Sequence, residues 1–345
     1  MGKVTINDVA KMAGASRATV SRVLSNPDYP VARETREKVL HAVQELGYMP
    51  NMVANSTQKA SMMDIGVIVP NITNQFYALT ILGIEKEFRK QGYNILLCNS
   101  FRDPQQERKL LQSLYNKKAQ GVIISSVAKE GGNVIEFSKK GMQFILLDQK
   151  IEELECNHIS FEYEEGAHKA MEYLHEMGHR QVCLATTPLT RWSRQEIYSG
   201  FRRAISEAGI AFEENMLLVA DQENESDEEG IYENRSGQLL ARKFLQGQNK
   251  ATAVLCVNDM VAFGFIQELH AHGVRVPEDI SVVGFDDIPF ASMFSPALTT
   301  VHCPTVETGS LAAQLMIQKL EGKIPFGFGV KLEARLVQRS SVMQR

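Results

Sequence analysis

The chain has 345 residues, 44% of them hydrophobic and 23% charged. That is globular composition, too long for one ordinary core and suited to two or three domains. The net charge of −4 by itself says nothing about nucleic acid, and the absence of any apolar run of about 18 residues excludes a helical membrane span. Residues 1–61 hold Lys3, Lys11, Arg17, Arg22, Arg33, Arg36, Lys38 and Lys59 against Asp8, Asp28, Glu34, Glu37 and Glu45. A modestly basic head on an acidic body is correctly signed for phosphate binding. Cys98, Cys156, Cys183, Cys256 and Cys303 are odd in number, far apart and without a Cys-x-x-Cys pair. They read as reduced core residues of a cytoplasmic protein, as does the lack of a charged-then-apolar leader.

In chain order, three short helical patterns come first. Thr5 caps one that carries Asp8 three residues on, and Gly14 stops it. Ser16 caps a second through Val20, Val23 and Leu24, and Asn26-Pro27-Asp28 makes a turn. A third runs over 35–46 with Val39, Leu40, Val43 and Leu46 on one face, ended by Gly47. Three such helices with a tight turn between the first two outline a helix-turn-helix module over 1–48. Residues 49–62 form a linker in which 51–58 could make a short helix, marginal without a partner.

From residue 63 short apolar runs alternate with helical stretches. The runs lie at 65–69, 94–98, 121–124, 144–148, 182–185, 253–257 and 281–285. The helices lie near 76–91, 104–117, 131–141, 165–177, 195–209, 236–247, 259–272 and 305–321. This rhythm predicts parallel sheets covered on both faces, arranged as two doubly wound lobes. One lobe is expected over about 63–160 and 293–324, the other over about 161–292 and 325–341. Ligands of open parallel sheets bind beyond the C-terminal strand ends, which here carry Pro70-Asn71, Asn99-Ser100, Asp148-Gln149, Asn258-Asp259 and Asp286-Asp287. The acidic segment 221–232 reads as a solvated loop.

Val4-Thr5-Ile6-Asn7-Asp8-Val9-Ala10, Ala13-Gly14-Ala15-Ser16, Thr19-Val20-Ser21-Arg22-Val23-Leu24 and Leu46-Gly47-Tyr48-Met49-Pro50-Asn51 closely resemble the headpiece of the LacI/GalR family of bacterial transcription regulators. Gly178-His179, Gly200-Phe201, Asn258-Asp259, the run from Asp279 to Asp287 and Pro296-Ala297-Leu298-Thr299-Thr300-Val301 are similar to that family's body. The resemblance implies an all-α helix-turn-helix headpiece followed by an α/β sensor of the periplasmic-binding-protein type. It implies a homodimer on a pseudo-palindromic operator, with paired hinge helices in the central minor groove and a small-molecule effector, first a sugar, between the lobes. No cofactor or metal is implied.

By that resemblance Arg17 and Ala18 open the recognition helix. Arg17 can donate twice to guanine, Ala18 can offer a methyl contact, and Arg22 is the second candidate reader. Thr5, Ser16, Thr19, Ser21 and Tyr48 belong to the same DNA-facing set, with Thr19, Ser21 and Tyr48 positioning through phosphates. The alternative for the two arginines is a solvated charged face. In the hinge, Asn51 and Ala54 fit the family pattern. Thr57 stands where a leucine usually wedges between base pairs, and its hydroxyl resists desolvation, so weaker kinking or another wedge such as Met52 is expected. Ala32 replaces a capping serine, a loss of about 1 kcal/mol.

The same mapping puts Asn74, Phe76, Asp148, Phe161, Tyr232, Asn258 and Asp286 at the effector site. Amides and carboxylates suit paired hydroxyls, and an aromatic face suits a sugar ring. The alternative for Asn258 and Asp286 is a helix cap, for Asp148 a cap or interlobe contact, and for the two phenylalanines the core. Ile197 stands where the family usually has a clamping arginine, so Arg191, Arg194 or Gln195 is expected to substitute. The rivals are a solute-binding protein, against which the headpiece argues, and an enzyme, for which no Gly-rich phosphate loop or metal-spaced cluster appears. A regulator controlled by a phosphorylated carrier protein stays open. The final residues carry no leucine heptads, so a coiled-coil tetramer is not expected.

Overall fold

The computed structural model describes residues 4–26, 29–48, 64–220, 229, 231–247, 250–325 and 327–345. It divides into two compact units, Met1–Met62 and Met63–Arg345. The hinge expectations at Asn51, Ala54 and Thr57 lie outside the described residues.

In the first unit α1 (Ile6–Ala13), α2 (Arg17–Ser25) and α3 (Arg33–Glu45) close on a core of Val9, Ala10, Ala13, Val20, Val23, Val39 and Ala42. So small a core leans on its helix ends. The Asp8 carboxylate accepts from the Thr5 N–H at 2.8 Å and the Thr5 hydroxyl at 2.7 Å. The Ser16 hydroxyl accepts from the Thr19 N–H at 3.0 Å. Ala32, before α3, supplies no side-chain cap. The tight turn between α1 and α2 needs Gly14, whose φ is 61°.

The second unit holds two six-stranded sheets. The first has the order β11-β5-β4-β3-β1-β2, with β1 Asp64–Val69, β2 Asn94–Asn99, β3 Gly121–Ile124, β4 Phe144–Leu147, β5 Asn157–Phe161 and β11 Gly329–Leu332. All its pairings are parallel. The second has the order β12-β10-β9-β8-β6-β7, with β6 Val182–Thr186, β7 Leu217–Val219, β8 Ala253–Cys256, β9 Ser281–Asp286, β10 Thr299–His302 and β12 Arg335–Val337. Here only the edge pair β10–β12 is antiparallel. Strands β3, β4, β6, β8 and β9 are buried along their whole length, as their unbroken apolar runs require of strands covered by helices on both faces. The covering helices are α4 (Gln75–Lys90), α5 (Pro104–Asn116), α6 (Gly132–Lys139), α7 (Tyr163–Glu176), α8 (Trp192–Glu207), α9 (Tyr232–Gln246), α10 (Asp259–Ala271), the short α11 (Phe290–Met293) and α12 (Thr305–Leu320). All five cysteines are free thiols, four of them buried.

The chain crosses between lobes three times: after β5, after β10, and between β11 and β12. The expected lobe boundaries are corrected accordingly. Phe161 ends a first-lobe strand. Residues 299–302, expected in the first lobe, form β10 of the second. Residues 329–332, expected in the second, pair with β5 of the first. Both strands are short, and β11 is a half-exposed edge carrying Lys331, so neither shows an apolar run. The acidic segment 221–232 does end in structure, since Tyr232 begins α9.

Helices α4 and α12 cross closely enough that a Cβ on Gly83 would lie 2.0 Å from the Val306 carbonyl, and one on Gly309 would lie 1.9 Å from that of Thr80. The obstacle is backbone on both sides, which cannot step aside. Gly309→Ala should therefore cost about 2 kcal/mol through overpacking, seen in calorimetry as a drop of several degrees in the unfolding midpoint. An unchanged midpoint would show that the helices can separate freely.

Candidate functional site

The first unit presents α2 with its N-terminal turn exposed. Arg17 and Ala18 are exposed, and Arg17 makes no side-chain hydrogen bond or ion pair with another described residue. Arg22 is exposed but engaged: its Nη1 donates to the Tyr29 hydroxyl at 3.2 Å, and its guanidinium lies 5.7 Å from that ring. The Thr19 and Ser16 hydroxyls share a bond of 2.9 Å. Ser21 and Tyr48 are half-buried, with Tyr48 packed on the headpiece core. A helix N-terminus with a free guanidinium and two hydroxyls is equipped for phosphates and base edges.

The second unit gathers polar groups where the C-terminal ends of the two sheets face each other. Asn74, Phe76, Tyr77, Asp148, Tyr163, Arg194, Glu233, Asn258 and Asp286 line one narrow cavity. Asp286 ends β9, Asp148 directly follows β4, and the others stand in the loops and first helical turns beyond the C-terminal strand ends, the side where parallel topology places ligands. Asn74 caps α4 by accepting from the Phe76 N–H at 3.0 Å. Asn258 caps α10 by accepting from the Val261 N–H at 2.8 Å. The cap reading of Asn258 therefore holds, and both asparagines also line the cavity.

Charge crosses between the lobes. The Tyr163 hydroxyl donates to Asp148. Arg191 donates to Ser125 Oγ at 2.8 Å and Tyr77 OH at 3.2 Å, and lies 3.7 Å from Asp148. Arg102 pairs with Glu233. Burial works against the Arg191 charge, but Tyr77, Asp148 and Tyr163 outweigh it and hold the guanidinium ionised. Burial pushes the Asp286 carboxyl well up, the neighbouring Asp259 adds to the rise, and Arg194 opposes it. Burial alone would raise Glu233 too. There Arg102, a bond from its own backbone and Arg194 prevail, and the carboxyl sits below its usual range. Asp148 and Asp286 have φ of 59° and 115°, sparsely populated for any residue but glycine, at about 1–3 kcal/mol each. The surrounding structure holds both backbones in place there.

Of the residues expected in the cleft, Asn74, Phe76, Asp148, Arg194, Asn258 and Asp286 come together. Phe161 lies beneath, fully buried, its ring edge-on to Phe76 at 5.9 Å, so it shapes the wall without lining it. Tyr232 is buried under the Arg102 guanidinium, 4.8 Å from the ring centre. Gln195 is corrected: it is exposed and donates to the Leu189 carbonyl at 3.0 Å, because it lies on the outer side of the first turn of α8. Tyr77, Tyr163, Arg102 and Glu233 were not anticipated. A buried pair such as Arg102 and Glu233 is far apart in sequence and carries no local signal. His179 is structural: its ring nitrogens meet Thr252 Oγ1 at 2.8 Å and the Met343 carbonyl at 3.0 Å.

Residues 5–51 match the model of the lacI family of bacterial regulatory proteins, and residues 171–342 match the periplasmic binding protein-like domain. The HTH-type transcriptional repressor PurR of Vibrio atlanticus is 33% identical over 340 residues, covering 98% of both chains. The chain belongs to the LacI family.

Another relative, PurR of Pasteurella multocida, is 31% identical over 342 residues. Among solved structures, the lac repressor dimer bound to operator and the anti-inducer ONPF superposes with a TM-score of 0.78 at 26% identity, covering 99% of this chain and 100% of that one. The regulator CelR in complex with cellobiose gives a TM-score of 0.72 at 26% identity, covering 98% of this chain and 99% of that one. As a LacI-family protein the chain is a DNA-binding transcriptional regulator with an effector domain, and its relatives are repressors rather than enzymes. No helix among the described residues is long and apolar enough to cross a membrane.

Below the cavity Asp259 is fully buried, accepting from the Ile288 N–H at 2.9 Å and the Thr300 hydroxyl at 2.5 Å. Burial raises its pKa to about 7 despite those bonds. A carboxyl raised in the folded state contributes stability in full below its unfolded pKa and loses it as pH rises through the folded value. The unfolding midpoint should therefore fall more steeply between the ordinary aspartate range and about pH 7 in the native protein than in Asp259→Asn. Equal slopes in a pH series of thermal melts would remove Asp259 as the source.

Proposed function

We propose that the protein is a cytoplasmic repressor that binds a two-fold symmetric operator as a homodimer and answers to a hydroxyl-rich small molecule, a carbohydrate or close derivative, held between its lobes. The observation that carries the effector class is the convergence of Asn74, Asp148, Arg194, Asn258 and Asp286 around Phe76 in one cavity. Amide and carboxylate groups pair with vicinal hydroxyls, and the ring gives a flat apolar face. The likeness to the regulator in complex with cellobiose supports the same class. On the DNA side Arg17 and Ala18 read base edges, and Arg22 joins them when it leaves Tyr29. Thr5, Ser16, Thr19, Ser21 and Tyr48 set the helix against phosphates, and Asn51, Ala54 and Thr57 belong to the hinge that follows. The effector acts by its differential affinity for two lobe arrangements, which the dimer passes to the headpieces.

Arg17→Ala should relax selectivity at one symmetric operator position by roughly 1–3 kcal/mol. A loss equal across all sequences in a binding titration would make Arg17 a phosphate contact instead. A thermal-shift panel of sugars, sugar phosphates, nucleobases and a phosphorylated carrier protein tests the effector. A sugar at 100 times its dissociation constant should stabilise by about 2.7 kcal/mol. Asp286→Ala should abolish that shift with operator affinity kept. A response confined to nucleobases or to the carrier protein overturns the carbohydrate reading.

A further inference from the structure

The cavity is bridged by two arginine contacts that mirror each other. Arg102, just after β2 of the first lobe, reaches Glu233 at the start of α9 in the second. Arg191, just before α8 of the second lobe, reaches Ser125, Tyr77 and Asp148 of the first. Each lobe thus gives one cation and one carboxylate to the other. Both members of the first pair are nearly sealed from solvent, their side chains 8% and 3% exposed, so the pair is screened little by salt.

Its surroundings are built to hold it. Tyr232 lies under the guanidinium at 4.8 Å. Asn74 Nδ2 donates to Glu233 Oε1 at 3.4 Å from the first lobe. Phe101 and Arg102 have φ of 53° and 59°, two successive left-handed residues without a glycine. The backbone is bent out of its ordinary region at the point where Arg102 is aimed across the cleft. The arrangement is not a fully satisfied one, because Arg102 Nε is buried without an acceptor among the described residues. A buried donor left unmet carries a desolvation cost that narrows the gap between the closed arrangement and an open one.

We propose that the Arg102–Glu233 pair, with Arg191 as its counterpart, is a latch that closes the two lobes through the chain's own contacts and so sets the closed population on which any effector acts. Glu233 and Arg102 are positioning residues in this scheme. They act on lobe angle, and a ligand need not touch them to feel their loss. A pair that favours one lobe arrangement changes the apparent affinity of every ligand selective for it, in proportion to the population it adds. The proposal rests on the reading above only for calling the cleft an effector site.

The test is hydrogen–deuterium exchange by mass spectrometry on the full-length protein with no small molecule added, so that its failure leaves the carbohydrate reading untouched. In the native protein, segments 70–77 and 187–195 should exchange slowly. In Glu233→Gln they should exchange at least about tenfold faster, with the central strands β3 and β8 unchanged. The double exchange Arg102→Glu with Glu233→Arg should restore slow exchange if opposite charge across the cleft is what matters. Native-like exchange in Glu233→Gln overturns the latch. Should that variant lose protection in β3 and β8 as well, the native protein still decides: cleft segments exchanging as fast as the exposed turn at 140–141 overturn it.

Discussion

An ionised carboxylate taken out of water costs several kcal/mol unless a cation or hydrogen-bond donors meet it. This protein buries Asp148, Glu233, Asp259 and Asp286 around one interlobe space. The rest of the sensor is organised by how each is answered. Asp259 is met by a backbone N–H and a threonine hydroxyl within its own lobe. Glu233 and Asp148 are met from across the cleft, by Arg102 and by Arg191 with Tyr163. Asp286, pushed well up by burial and by Asp259 against the opposing field of Arg194, is answered instead by a shift toward its neutral form. The lobes are therefore joined by charge as well as by the three chain crossings, and lobe angle is tied to which groups are paired.

That arrangement follows from parallel sheets. Every strand of such a sheet delivers its C-terminal end to the same edge. Two lobes linked by short crossings after β5, after β10 and before β12 present those edges to each other. Groups as distant in sequence as Asn74 and Glu233 meet because of this and for no local reason. The strained aspartates at 148 and 286 sit at the turns where strands end, and the backbone bends there to aim a carboxylate inward.

The first unit works under a different constraint. Among the described residues the buried centre of its core is seven small or β-branched side chains, so capping and turn geometry carry a large share of its order. Asp8, Ser16 and Gly14 each settle a helix end, which leaves Arg17 at the start of α2 free for a partner. Arg22, held by Tyr29, must exchange one contact for another when it engages DNA.

Sequence by itself determined the helix-turn-helix unit, the central parallel strands and most helix positions, because each rests on local periodicity, caps and turns, and it determined the family through motifs that match residue by residue. The family resemblance also pointed to six of the nine residues that line the cavity. The lobe boundaries were misplaced, because β10 and β11 are four-residue strands without the apolar run that marks a buried strand. Gln195 was placed in the cleft and points out of it, because one residue along a helix turns a side chain by about 100°. Only the tertiary structure decided which charges pair across the cleft. Ion pairs depend on distances between strand ends brought together by folding, and no spacing within the chain encodes them.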